Sequence, residues 1–284
     1  MKRTLGVTSF LTFLIVSNAR AADLQYPLSV ATGPDGAIYV ADKDAHGVWK
    51  IADGKLTPFS MGTSKFRTPL NAVRCVAVDA KGRLLAGDTA TREVYRFSAD
   101  GKPEPLTNGG IGMPMALAFD SKGDILVCDL ELHQIVKVAE AGGAPVKIAD
   151  AARPSGIAVD AQDRIWVVDS SGKDQVIRIL PNGKTEAVVA GKLQQDPKVQ
   201  SFPHNIALDK DQNAYICDNY GATVWKVGPN GKQQKWLADK PLVKPVGIVF
   251  AGDRLLIADP HAKQIFEATL DGMIAPLKFE GASK

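Results

Sequence analysis

The feature that most limits what this chain can fold into is internal repetition: one unit recurs six times, each copy closing on an aspartate, at Asp42, Asp88, Asp129, Asp169, Asp218 and Asp259. The copies begin PLSVATGPDGAIYVAD, VRCVAVDAKGRLLAGD, PMALAFDSKGDILVCD, PSGIAVDAQDRIWVVD, PHNIALDKDQNAYICD and PVGIVFAGDRLLIAD, the last one residue shorter. The spacing of the aspartates, 46, 41, 40, 49 and 41 residues, suits a four-stranded unit and is too long for leucine-rich or ankyrin units.

Within each unit two nearly continuous apolar runs flank a turn, as in Gly156–Val159 and Ile165–Val168. Such runs are expected of strands covered on both faces. A third run carries a charged residue at its third place (Lys50, Arg96, Lys137, Arg178, Lys226, Glu267), so it lies nearer solvent, and a more polar fourth strand follows a glycine turn. Four antiparallel strands, six times over, with no segment of sustained helical period, predict an all-β fold: a six-bladed β-propeller in one domain, each blade made of contiguous sequence. The ring then closes by packing of the first blade on the last, helped by residues 22–26.

The N-terminus sets Lys2 and Arg3 before an apolar stretch and small residues at Ala19 and Ala21, a secretory signal with cleavage expected after Ala21. Residues 1–21 are thus read as signal and 22–284 as the propeller, with a periplasmic or secreted address. Losing Lys2, Arg3 and Arg20 takes the 34 basic residues to 31, equal to the 31 acidic ones, so the mature chain is formally neutral. That balance argues against nucleic acid or a membrane surface as partner, and a monomer is expected. Cys75, Cys128 and Cys217 are odd in number and widely separated in the repeat, and read as small buried apolar residues rather than a disulfide framework.

The pattern P-x-G-[IV]-A-[VL]-D-x-x-G-x-[IL]-[YW]-V-x-D, followed by a histidine-bearing tail at His46 and His133, resembles the NHL repeat and covers residues 26–279. Six-bladed relatives of that kind include the gluconolactonase group and an amidating lyase. The resemblance to gluconolactonases implies metal ligands where this chain has Gln25, Ser155 and His204, so a divalent cation loses its usual carboxylate ligands. The resemblance to the lyase implies a three-histidine zinc site, of which only His204 is present. No metal ligand set and no cofactor is therefore expected. No Ser-His-Asp arrangement is identifiable either.

The six aspartates, common to all repeats, are expected to accept backbone N–H bonds rather than bind cations. His46 and His133 are expected to be repeat-structural. The opening residue of each first strand should face one channel end, and its occupants are Leu28, Arg74, Met115, Ser155, His204 and Val246. Together with the long connections 61–72 and 191–202, this marks one face, with Asn71, Arg74, Ser155, His204, Asn205, Asn219 and Tyr220 as ligand-binding candidates. The function expected is a binding or interaction module for a protein, glycan or small molecule on that face, with a hydrolase or lyase at the channel mouth as the alternative.

Overall fold

The computed structural model describes residues 23–171, 173–193, 198, 200–237 and 241–281. The expected signal segment 1–21 and part of the 191–202 connection fall outside them. Among the described residues there is no helix, and the strands form six four-stranded antiparallel sheets, each built from consecutive strands.

The first strands, Pro27–Thr32, Val73–Val78, Pro114–Phe119, Pro154–Val159, Pro203–Leu208 and Gly247–Ala251, stand nearest the axis and neighbour one another in ring order, with blade 6 back against blade 1. The second strands are the most buried. Leu84–Asp88, Ile125–Asp129, Ile165–Asp169 and Ala214–Asp218 are buried along their whole length. The charged residues at the third place of the third strands are all half-buried, which fits strands that carry both core and solvent faces. Every apolar cluster is shared between adjacent blades: Leu85, Val94 and Cys75 of blade 2 pack with Val127, Val136 and Val138 of blade 3. A lone blade leaves these faces open, so the ring folds as a unit.

Two devices close it. Gly247 lets blade 6 approach blade 1, since a Cβ there would lie 2.8 Å from the Leu28 carbonyl oxygen. At the rim, the C-terminal segment joins the third hairpin of blade 1: Leu56 N–H donates to Glu280 O (3.1 Å) and Glu280 N–H to Gly54 O (2.6 Å). Leu24, Leu277 and Phe279 complete the apolar cluster of blades 1 and 6. The three cysteines are free and buried, and each thiol points at a backbone carbonyl of the next blade, Pro114, Gly156 or Gly247. Burial pushes the Cys75 thiol up to about 12.

Candidate functional site

The six repeated aspartates decide where the channel mouth lies. Each is buried. In the first five blades each accepts the backbone N–H of the residue just before its blade's first strand, Tyr26 on Asp42 (2.8 Å), Ala72 on Asp88 (3.1 Å), Met113 on Asp129 (3.0 Å), Arg153 on Asp169 (3.2 Å) and Phe202 on Asp218 (2.8 Å), and in blade 6 Asp259 accepts that of Lys244, three residues before Gly247 (2.9 Å). A further N–H comes from the loop after the second strand, for example Ala45 on Asp42 and Leu132 on Asp129. The carboxylates are consumed by the backbone, as a charged acceptor in a buried loop should be.

The same residues are pinned from the other side in five blades. The N–H following the aspartate donates to the carbonyl of Tyr26, Ala72, Met113, Arg153 or Phe202, the last from Asn219 at 3.1 Å. Tyr26, Ala72, Met113, Arg153, Phe202 and Lys244 therefore form a fixed outer ring around the mouth. Blade 6 lacks the second pin because Pro260 has no N–H.

An inner ring follows from the strand register. In the first five blades the pairing of first and second strands slips at the second residue, so Leu28, Arg74, Met115, Ser155 and His204 are extra residues opposite no partner. A bulge re-aims its side chain, and these five positions lie at the loop-bearing end of the first strands. In blade 5 the bulge also includes Asn205, which lines the channel beyond. That channel is a cavity of about 310 Å³ walled by Val30, Val76, Leu117, Ile157, Ile206 and Ile248 and their neighbours.

Arg74 and His204 come from blades three steps apart, yet lie near enough for the Arg74 charge to act on the imidazole. Neither side chain makes a hydrogen bond or ion pair among the described residues. Burial, with the Arg74 charge adding to it, drives His204 down to about 3, so the imidazole is neutral at physiological pH. Burial likewise lowers the Arg74 guanidinium from its usual value, with Cys75 and Tyr26 acting weakly in the opposite sense.

Aromatic rings surround the pair. Phe202 meets His204 edge-on at 5.0 Å and Tyr220 at 5.7 Å, and Tyr26 meets His261 at 5.8 Å with its hydroxyl 3.4 Å from Nε2. Cations cap three of these rings: Lys43 over Tyr26, Arg153 over Phe202 and Lys244 over Tyr220.

The structure thus brings Arg74, His204 and Tyr220 to one mouth, with Asn205 just below. Ser155 is in the ring, but its hydroxyl is directed at the carbonyls of Val168, Pro203 and His204, which leaves it holding blade 4 to blade 5. Asn71 lies in the 61–72 connection, where its amide donates to Thr63 O (2.9 Å) and its carbonyl meets His46 Nδ1 (2.6 Å). Asn219 is half-buried beside the mouth and serves through its backbone. His46 and His133 take left-handed backbone and each holds a carbonyl of the following connection, Asn71 and Ala152, a structural role. Sequence reading passed over Tyr26, Arg153, Phe202 and Lys244. Their common signal was position: each directly precedes a proline at or just before the start of a first strand, Pro27, Pro154, Pro203 or Pro245.

This mouth, at the loop end of six contiguous blades, is the setting in which the chain's relatives can be weighed. The family description "SMP-30/Gluconolactonase/LRE-like region" matches residues 14–197, well over half of the chain. The chain belongs to this family. Among curated proteins, this SMP-30/gluconolactonase-type propeller is 26% identical over 113 residues to the human (Homo sapiens) NHL-repeat-containing protein 4, covering 39% of this chain and 89% of that protein. Among solved structures it resembles a gluconolactonase from Xanthomonas campestris (TM-score 0.72, 16% identity, covering 91% of this chain and 88% of the other). It also resembles virginiamycin B lyase from Staphylococcus aureus (TM-score 0.68, 18% identity, covering 90% and 85%). At such identities the likeness is one of fold.

The metal that gluconolactonase kinship implies can be tested on the donors. Gln25 is exposed and its amide Nε2 donates to Asp23 O (3.1 Å). The Ser155 hydroxyl is spent on carbonyls, and His204 lies within reach of the Arg74 charge. A hard divalent cation seeks carboxylate oxygens, and among the described residues no three His, Cys, Asp or Glu side chains are grouped to hold a metal. The residues do not fit that ion.

Proposed function

We propose that this exported member of the SMP-30/gluconolactonase-type propellers is a binding module, taking a small molecule or the end of a glycan at the mouth formed by the two rings. One observation carries the reading: the side chains gathered there, Arg74, His204 and the aromatic group of Tyr26, Phe202 and Tyr220, have polar atoms or ring surface to spare. The six repeated aspartates, by contrast, are engaged by backbone N–H groups. Pre-formed concave sites with a few convergent polar groups are the usual form of a small-ligand site. The rings are pinned by the backbone of a closed fold, so little ordering is needed on binding.

The test is a thermal-shift and calorimetric screen of sugars, organic acids and short peptides on the mature chain and on Tyr220→Ala. The reading expects ligands that raise the melting temperature unchanged in composition, with the effect weakened in the variant. It fails if no ligand stabilises the protein, or if stabilising ligands bind the variant equally.

A second reading, a lyase or hydrolase at the same mouth, is favoured by one contact. Tyr26 Oη and His261 Nε2, 3.4 Å apart, could pass a proton to a substrate held against His204. Turnover of a bound ligand, abolished in His261→Ala, would favour this reading over the first.

A further inference from the structure

The channel mouth holds a cation for which the protein supplies no counter-charge. Arg74 is packed by protein on most sides, yet it makes no ion pair or hydrogen bond among the described residues, and the groups closest to it electrostatically are a thiol, a phenol and an imidazole. The nearest repeated carboxylate by sequence, Asp88, is engaged by Ala72 N–H, Ala90 N–H and the Thr91 hydroxyl. A partly buried, unpartnered guanidinium is costly in a fold, because desolvation is compensated only by a partner. Four other arginines do have carboxylate partners: Arg83 bonds Asp79 and Glu140, Arg164 bonds Asp160, Arg178 bonds Glu186 and Arg254 bonds Glu267.

Further cations stand around the same opening. Arg153 and Lys244 of the outer ring lie over Phe202 and Tyr220 without an ion pair among the described residues, and the Lys43 ammonium over Tyr26 reaches only the exposed Asp44 (3.5 Å). His204 opposite has both ring nitrogens free of protein partners, so it can turn an N–H toward an acceptor.

We propose that the mouth is an oxyanion site, in which Arg74 anchors the carboxylate or phosphate group of a small organic anion, His204 donates a second hydrogen bond, and the aromatic ring residues flank the ligand's body. The proposal rests on the binding reading above and names its ligand class. The planar guanidinium suits either oxyanion through paired N–H donors, and the neutral opposite wall leaves the negative charge unopposed.

The experiment compares ligands that differ only in the charged group: D-glucose with D-glucuronate and D-glucose 6-phosphate, and benzyl alcohol with benzoate. Affinities are measured by calorimetry on the wild type, Arg74→Met and Arg74→Lys. At least one oxyanion is expected to bind about tenfold or more tightly than its neutral twin, a preference lost in Arg74→Met and partly kept in Arg74→Lys. Glucuronate against glucose 6-phosphate then tells carboxylate from phosphate. Because Arg74 lacks a partner in the protein, unliganded Arg74→Met should melt at or above the wild type.

The proposal is overturned if the twins bind alike, if oxyanion preference survives in Arg74→Met, or if that variant melts well below the wild type, since the guanidinium would then already have its partner in the fold. Neutral twins that bind, and lose binding in Tyr220→Ala, would leave the binding module standing while removing the oxyanion. Binding of none of the probes would count against both.

Discussion

Replacing His204 by glutamine should make the protein less sensitive to acid. The imidazole is held neutral in the fold, at about 3 against an ordinary 6.5, chiefly because burial penalises the charged form and secondarily because Arg74 stands opposite. The sign follows from which state takes up the proton. Below the ordinary value the unfolded chain protonates this histidine while the folded chain does not, so stability is fully present above 6.5 and is lost progressively as pH falls toward 3. Between about pH 7 and about pH 5 the loss from this one group amounts to about 2 kcal/mol. For a domain of this size that corresponds to a fall of about 4–8 °C in melting temperature. Other groups titrate too, so the assay is the difference between wild type and His204→Gln, followed by calorimetry across that range. The wild type should lose stability relative to the variant as pH falls, by about 2 kcal/mol between about pH 7 and about pH 5. Parallel curves would show that His204 titrates in the fold as it does in the unfolded chain, and would refute the buried, neutral imidazole described above.

Other outcomes follow from the same contacts. Asp129→Ala strands the N–H groups of Gly112, Met113 and Leu132, and should lower unfolding stability by about 3–5 kcal/mol in urea titration. Gly156→Ala places a methyl 2.4 Å from the His204 carbonyl oxygen, a backbone atom. It should destabilise by about 1–3 kcal/mol and shift the resonances of His204, whereas Gly36→Ala, with open space at its Cβ but a left-handed backbone, should act through local strain alone. Truncation after Lys278 removes Phe279 and the Glu280 bonds to Gly54 and Leu56, and should raise the rate of hydrogen exchange selectively in blades 1 and 6. The three thiols should react with a disulfide reagent only on unfolding, because they are buried and burial raises their pKa.

Architecture was legible because six copies of one pattern average out local ambiguity, and the aspartate that closes each copy marks the end of a second strand. Its role as an acceptor of loop N–H groups could be argued from its recurrence. That it also reaches across the blade to fix the residue before the first strand could not, since the bond joins positions 15 or 16 residues apart through the strand register. Tyr26, Arg153, Phe202 and Lys244 were missed for that reason. Arg74 and His204 were visible as polar occupants of an otherwise apolar column, but the bulge that re-aims them depends on register. Ser155 looked equivalent to them. Only the close approach of blades 4 and 5, permitted by Gly156, shows its hydroxyl to be spent on carbonyls.

The most direct test of the binding mouth is a crystal structure of the protein with the ligand that stabilises it most in the screen. The account places that ligand between Arg74 and His204, against Phe202 and Tyr220. Density instead at the opposite end of the channel, among Thr32, Phe119 and Phe250, with Arg74 and His204 untouched, would contradict it.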